Sequence, residues 1–142
     1  IVTNKRDAPI EINYTFKIPN YVTDTKTEVF ANLNFDKNYF SDYTTKDRKY
    51  GFEFNFAFER RLVVNFLLSQ NHAVKYVPDN VVFNKDDYEY NASYTTSKSN
   101  IVFKSKIKVK SKNVEVTQFD TWNDFLNAQT KNSNKSISLS KL

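Results

Sequence analysis

The chain has 142 residues, 39% of them hydrophobic, with 21 Lys and Arg against 16 Asp and Glu for a formal charge of +5. That length fits one domain around one core. The lack of Cys excludes disulfides and thiol chemistry, no apolar run reaches the roughly 18 residues of a membrane-crossing helix, and basic residues interspersed with acidic ones argue against a dedicated nucleic-acid surface. Thirteen Phe and nine Tyr against one Trp favour pleated, half-buried surfaces, and so a β-rich fold. The chain opens on Ile1, holds no Met and shows no signal peptide, which predicts a piece of a longer or processed protein.

Alternation with period two is the main signal along the chain. In PIEINYTFKIP (residues 9–19), Ile10, Ile12, Tyr14, Phe16 and Ile18 share one face, and Glu11, Asn13, Thr15 and Lys17 the other. This predicts a half-buried strand closed by Pro19-Asn20. EVFANLNF (28–35) repeats the scheme, with Val29, Ala31, Leu33 and Phe35 inward and DKN supplying a turn. The polar FSDYTTKDRKY leads into YGFEFNFAFERRLVVNFLLSQ (50–70), where Tyr50, Phe52, Phe54, Phe56 and Phe58 occupy every second position and Leu62, Val64, Phe66 and Leu68 continue the row. One strand of that length far exceeds the usual about 5 to 6 residues, so a break is expected at Glu59-Arg60-Arg61. The aromatic row admits three readings: core of a sandwich, cover by a neighbouring domain, or stacking on a ligand. Core is the expectation, because exposing every ring would leave an aggregation-prone patch.

SQNH and AVKYVPDN mark the next turns, followed by VVF and by YEYNASYTT, where Tyr88, Tyr90, Ala92 and Tyr94 lie on one side. In IVFKSKIKVKSK (101–112), Ile101, Phe103, Ile107 and Val109 face one way and Lys104, Lys106, Lys108, Lys110 and Lys112 the other. Spacings of three and four at Phe119, Trp122, Phe125 and Leu126 then predict an amphipathic helix with Thr117 and Asp120 as capping pair. An NSNK loop and a last strand, SISLSKL, close the chain. Short strands with frequent turns indicate an antiparallel sandwich of immunoglobulin or fibronectin type with one C-terminal helix. With a single Gly, the turns must be made by Asn, Asp and Ser.

Residues of catalytic character are sparse. One His and no Cys cannot assemble a thiol–imidazole nucleophile. His72 is expected to be an exposed turn residue. Asp86-Asp87-Glu89 lacks the spaced oxygen ligands and Gly bend of a calcium loop and is expected to be a solvated turn. No catalytic residue, metal ligand or cofactor is assigned. The lysine face is the one candidate interaction surface, open to lipid head groups, an acidic polymer or nucleic acid. The competing reading is a solvent face whose lysines prevent edge-to-edge pairing, and it is favoured because no aromatic residue interleaves with them.

RDAPIEINYTFKIPNYV, RKYGFEFNFAFERRLVVNFLLSQNHAVKYVPDNVVF, IVFKSKIKVKS and FDTWNDFLNAQTKNSNKSISLSKL together resemble a C-terminal domain of unknown function. That domain follows a transglutaminase-like, papain-fold core in multidomain envelope proteins of some Gram-negative bacteria. Arg48-Lys49-Tyr50, the VKYVPDNV turn at 74–81 and the helix–loop–strand ending carry the likeness. Gly51 and Ser69-Gln70-Asn71 depart from the family's Pro after the Tyr and its Pro-Glu-Gly turn. The resemblance implies that the core carries a Cys-His-Asp arrangement and this module does not. It also implies a periplasmic or secreted setting. The resulting expectation is a single module over 1–142: a non-catalytic accessory domain packing on or positioning the transglutaminase-like core of the same chain, with no nucleic-acid partner and no integral membrane segment. The alternative is a free-standing envelope module binding glycan, peptide or an anionic surface.

Overall fold

The computed structural model describes residues 10–35, 44 and 47–142. The strands are β1 (Thr23–Asp24), β2 (Glu28–Ala31), β3 (Phe52–Glu53), β4 (Phe58–Leu67), β5 (His72–Tyr76), β6 (Val81–Lys85), β7 (Tyr88–Thr96), β8 (Asn100–Val109), β9 (Asn113–Val114) and β10 (Ile137–Lys141). A 3₁₀ turn, Val116–Gln118, leads into helix α1 (Phe119–Ser133), which precedes β10. The main sheet has the order β4-β8-β7-β6, a smaller one the order β1-β2-β10-β5, and β3 pairs with β9. Every strand pairing among the described residues is antiparallel. The result is an antiparallel, sandwich-like β fold with one C-terminal helix among the described residues.

Turn chemistry follows the scarcity of Gly. Asp86 takes the left-handed conformation (φ 52°) in the two-residue β6–β7 turn, and Asn20 takes it (φ 57°) after Pro19. Both residue types tolerate that geometry better than most. In the β7–β8 turn the Ser97 hydroxyl accepts the backbone N–H groups of Ser99 and Asn100 at 3.2 and 3.1 Å. The single Gly serves space instead. A Cβ on Gly51 would sit 2.6 Å from the Val114 carbonyl oxygen, where β3 meets β9.

Alternation on the main sheet decides the core. Ile101, Phe103, Ile107 and Val109 of β8 and Tyr88, Tyr90 and Ala92 of β7 are buried, with half-buried Phe58, Leu62, Val64 and Phe66 of β4 beside them. Val29 and Ala31 of β2, Leu33 just beyond it, and Ile137 and Leu139 of β10 join the same cluster. Helix α1 lies over β6 and β7. Its Trp122 ring is 5.3 Å from Tyr88 and 5.6 Å from Phe52, and Phe125 stacks on Tyr88 at 5.6 Å and meets Phe83 at 6.0 Å. The helix C-terminus is tied by Tyr90 Oη donating to Asn132 Oδ1 at 2.9 Å and by Asn32 Nδ2 donating to the Ser133 carbonyl at 2.7 Å. Burial pushes the Tyr88 hydroxyl up to about 12, aided by Asp87 and Asp86, and raises Tyr90 as well. Among the described residues the Tyr88 hydroxyl has no hydrogen-bond partner.

Four expectations are corrected. First, residues 10–19 form no ladder beyond a bridge at Glu11, and their apolar side chains stay exposed, Ile10 at 67% and Tyr14 at 75%. Alternation supplied a strand-like face, but no described strand places an edge beside it. Second, the long row breaks at Phe54–Ala57, and β4 runs straight through Glu59-Arg60-Arg61. Phe52 to Phe58 is six steps while their partners Val114 and Val109 are five apart, so one extra residue bulges the first strand. Phe52, Phe54 and Phe58 pack against the core, but Phe56, in the irregular stretch between β3 and β4, is turned to solvent, as is Tyr50. Third, the helix cap lies earlier than Thr117/Asp120: Gln118 Oε1 accepts the Glu115 N–H at 3.0 Å, and Gln118 N–H donates to the Glu115 carbonyl at 2.8 Å. Fourth, the NSNK loop is shortened because α1 continues through Ser133, and Phe35 is half exposed rather than inward. The DKN turn and most of 40–46 lie outside the described residues.

Replacing Trp122 by Ala is expected to cost about 3–5 kcal/mol in urea unfolding, while Phe56→Ala costs under about 1 kcal/mol, as exposed positions do. Equal losses would contradict the split of the aromatic row.

Candidate functional site

The lysine row stands on β8 because Ile101, Phe103, Ile107 and Val109 take the inward positions and leave the residues between them outward. Lys104, Lys106 and Lys108 lie on the strand, while Lys110 and Lys112 follow it in the link to β9. The flanking strands bring carboxylates to this face. Register places Glu59 of β4 and Glu89 of β7 on either side of Lys108. Lys108 Nζ lies 3.2 Å from Glu59, Lys106 Nζ 2.9 Å from Glu89 and 3.9 Å from Glu59, and Lys110 Nζ 2.9 Å from Glu89. Arg61 also binds Glu59, and Lys112 pairs with Glu53. The row is thus a cross-strand ionic lattice and not a bare cationic ribbon. Hydrogen bonds from Lys106 and Lys110 hold the Glu89 carboxyl down at about 2, and those from Arg61 and Lys108 lower Glu59.

Lys104 differs from its neighbours in having no ion pair among the described residues. It borders a shallow depression of about 560 Å³ on the outer sheet face, lined also by Arg61, Val63, Val82, Asn91 and Ser93. The sequence alone puts Glu59 in a strand break and Glu89 in a solvated turn, not beside the lysines; both lie within strands, β4 and β7. Their outward parity was visible in the sequence, but which strand neighbours which was not.

The other singled-out residues sit elsewhere. His72 opens β5 and is half-buried rather than an exposed turn residue. Its Nδ1 lies 2.5 Å from Ser69 Oγ, and its backbone N–H donates to the Ser69 carbonyl at 3.1 Å. The pair borders a depression of about 470 Å³ with Thr96, Ser97 and Lys98, and no Asp or Glu side chain is among its described lining residues. Asp24 shares a smaller hollow with Ser69 and His72, but its carboxylate is bound by Lys141. The site is a hydroxyl–imidazole hydrogen bond, and among the described residues no Asp or Glu side chain is shown orienting the ring as the third element of a relay.

Asp86-Asp87 is a structural joint rather than a merely solvated turn. Thr121 Oγ1 donates to Asp86 Oδ2 at 3.2 Å, and Gln118 Nε2 to Asp87 Oδ2 at 3.4 Å. The Lys110 N–H donates to the Asp87 carbonyl at 2.9 Å. Two carboxylates are thereby set at the N-terminal end of α1, where the helix dipole favours them. Among the described residues no group of three or more His, Cys, Asp or Glu is placed to hold a metal ion, and no helix is long and apolar enough to cross a membrane.

A family model described as a domain of unknown function with solved-structure structure (DUF3858) matches residues 24–139. The chain belongs to the DUF3858 family. Neither a curated protein nor a solved structure matches it. The DUF3858 match runs from the end of β1 into β10, so it includes the ionic lattice, the Ser69–His72 pair and the aspartate joint. Residues 10–22 lie before it.

The DUF3858 lattice has a pH signature. The folded Glu89 carboxyl releases its proton far more readily than an ordinary one, so its contribution is complete above the ordinary value of 4.5 and is lost as pH falls toward about 2. Glu89→Gln is expected to flatten the acid limb of stability over that window, measured by urea unfolding at each pH. A variant with an unchanged acid limb would show that the lattice adds nothing. Lys106→Gln with Lys108→Gln is expected to shift neutral-pH stability by no more than about 1 kcal/mol, since partly exposed pairs are screened.

Proposed function

We propose that this DUF3858 chain is a non-catalytic accessory module that packs on, or positions, a transglutaminase-like core in a periplasmic or secreted protein. The reading is carried by two rings that the fold turns away from its own core, Tyr50 at 81% and Phe56 at 64% exposure. Both belong to a row whose other members pack inward, and both lie toward the β3–β9 end, where Val116 is exposed as well. Burying such a ring is worth about 1.5–3 kcal/mol, which a neighbouring domain seated there would recover. The resemblance described above supplies that neighbour, a core bearing Cys, His and Asp. One observation favours a free-standing module for glycan, peptide or an anionic surface instead: Lys104, without an ion pair among the described residues, beside the outer-face depression.

A Cys-His-Asp domain is expected in the coding sequence immediately upstream. In the longer chain, amide exchange over residues 50–57 is expected to slow by roughly tenfold or more relative to the 142-residue chain, because a covered loop opens less often. Unchanged exchange there with the upstream domain present would overturn the accessory reading. Saturable, salt-sensitive binding to anionic vesicles that Lys104→Gln abolishes would transfer the assignment to the binding module.

A further inference from the structure

We infer that residues 10–18 form a homodimerisation strand, through which two copies of the chain pair antiparallel about Tyr14. Contacts between residues two apart sort the segment's side chains to two sides, as in a strand. Tyr14 and Phe16 stack at 5.6 Å on one face, and Asn13 Nδ2 donates to Glu11 Oε1 at 3.1 Å on the other. Ile10, Ile12, Tyr14, Phe16 and Ile18 are 67, 57, 75, 61 and 47% exposed. The base of the segment is fixed: the Tyr21 hydroxyl donates to the Asn32 carbonyl, and the Tyr21 ring lies 5.4 Å from Phe35. An apolar, strand-patterned segment is therefore presented from an anchored point, without a ladder partner among the described residues beyond the bridge at Glu11.

The occupant follows from charge and register. When the segment is laid antiparallel against a second copy with Tyr14 facing Tyr14, Ile10 faces Ile18 and Ile12 faces Phe16 on the apolar side. On the polar side Glu11 faces Lys17, Asn13 faces Thr15, and by symmetry Lys17 faces Glu11. Pro9 and Pro19 fall opposite each other at the two ends, where the missing N–H stops the ladder. Other registers lose this match. A slip of one residue sets apolar against polar side chains, a slip of two separates Glu11 from Lys17, and parallel in-register pairing sets Glu11 on Glu11 and Lys17 on Lys17. Like charges directly opposite each other are destabilising. The pairing is isologous, so it closes at two copies. A two-stranded ribbon alone is marginal. Here its apolar face can close on exposed Val22, Phe30 and Phe35 near the anchor.

This dimer goes beyond the accessory role and does not depend on it, since it uses 10–18 and not the rings at 50 and 56. Analytical ultracentrifugation of the 142-residue chain is expected to show a concentration-dependent dimer. Glu11→Lys and Lys17→Glu should each weaken it by roughly tenfold or more, because both symmetry-related contacts become repulsive at once. Both substitutions lie on exposed positions, and circular dichroism confirms that the variants fold. Mixing the two single variants should restore dimers, since one chain then carries two cations on the strand and the other two anions. A monomer at every concentration would overturn the inference. So would a dimer indifferent to either reversal, or a mixture that stays monomeric while each variant is folded.

Discussion

Trp122 is the contact on which the arrangement of the remaining elements depends. Its indole joins α1 to the main sheet through Tyr88 and to the β3 region through Phe52 and Phe54, at ring separations of 5.3, 5.6 and 5.5 Å. Tilted and edge-on rings at such distances gain specific interaction energy beyond their buried area. Because α1 is amphipathic and short, its stability comes from this docking and not from propensity alone. The Asp86-Asp87 turn adds direction to an otherwise non-directional attraction. Its carboxylates take the Thr121 hydroxyl and the Gln118 amide, which sets the helix entry relative to the β6–β7 hairpin. Hydrophobic burial thus holds the helix to the sheet, while the polar turn fixes where along the sheet it starts.

What was legible in the sequence was whatever alternation or helical spacing could decide locally. β7 and β8 are found where YEYNASYTT and IVFKSKIKVKSK place them, with the inward residues as read, because each strand's two faces meet opposite environments. The row at 50–58 misled for a physical reason. Parity holds only while the strand does, and Phe56 falls in the irregular stretch between β3 and β4, where it is exposed. The segment at 10–18 shows the complementary limit: alternation records that a face is suited to burial, not that this chain supplies the cover. The helix cap was misplaced by the 3₁₀ turn at Val116–Gln118, which moves the first unpaired N–H groups toward Glu115.

The lysine row illustrates the same limit for charge. Its outward parity on β8 could be read, and lysine is what protects a strand face from unwanted pairing. Glu59 and Glu89 lie far from it in sequence and become its counter-ions only through the order β4-β8-β7. A strand that looks strongly basic alone has much of its charge paired once assembled. Lys104, flanked by Val63 and Ser93 in the ladder, escapes that pairing because its neighbours bear no charge.

Gly51 has a bearing on how freely this family can diverge. Its role is not a dihedral angle that Asn or Asp could also adopt, but a close approach of backbone: any Cβ at this position would lie 2.6 Å from the Val114 carbonyl oxygen. Backbone on one side and backbone on the other leave nothing that can rotate aside. Turns built from Asn20, Asp86 and Ser97 can exchange one polar residue for another during drift. At position 51 a change of residue has to be accompanied by a change in the path of a strand, so relatives that carry a side chain there are expected to differ in backbone course where β3 meets β9.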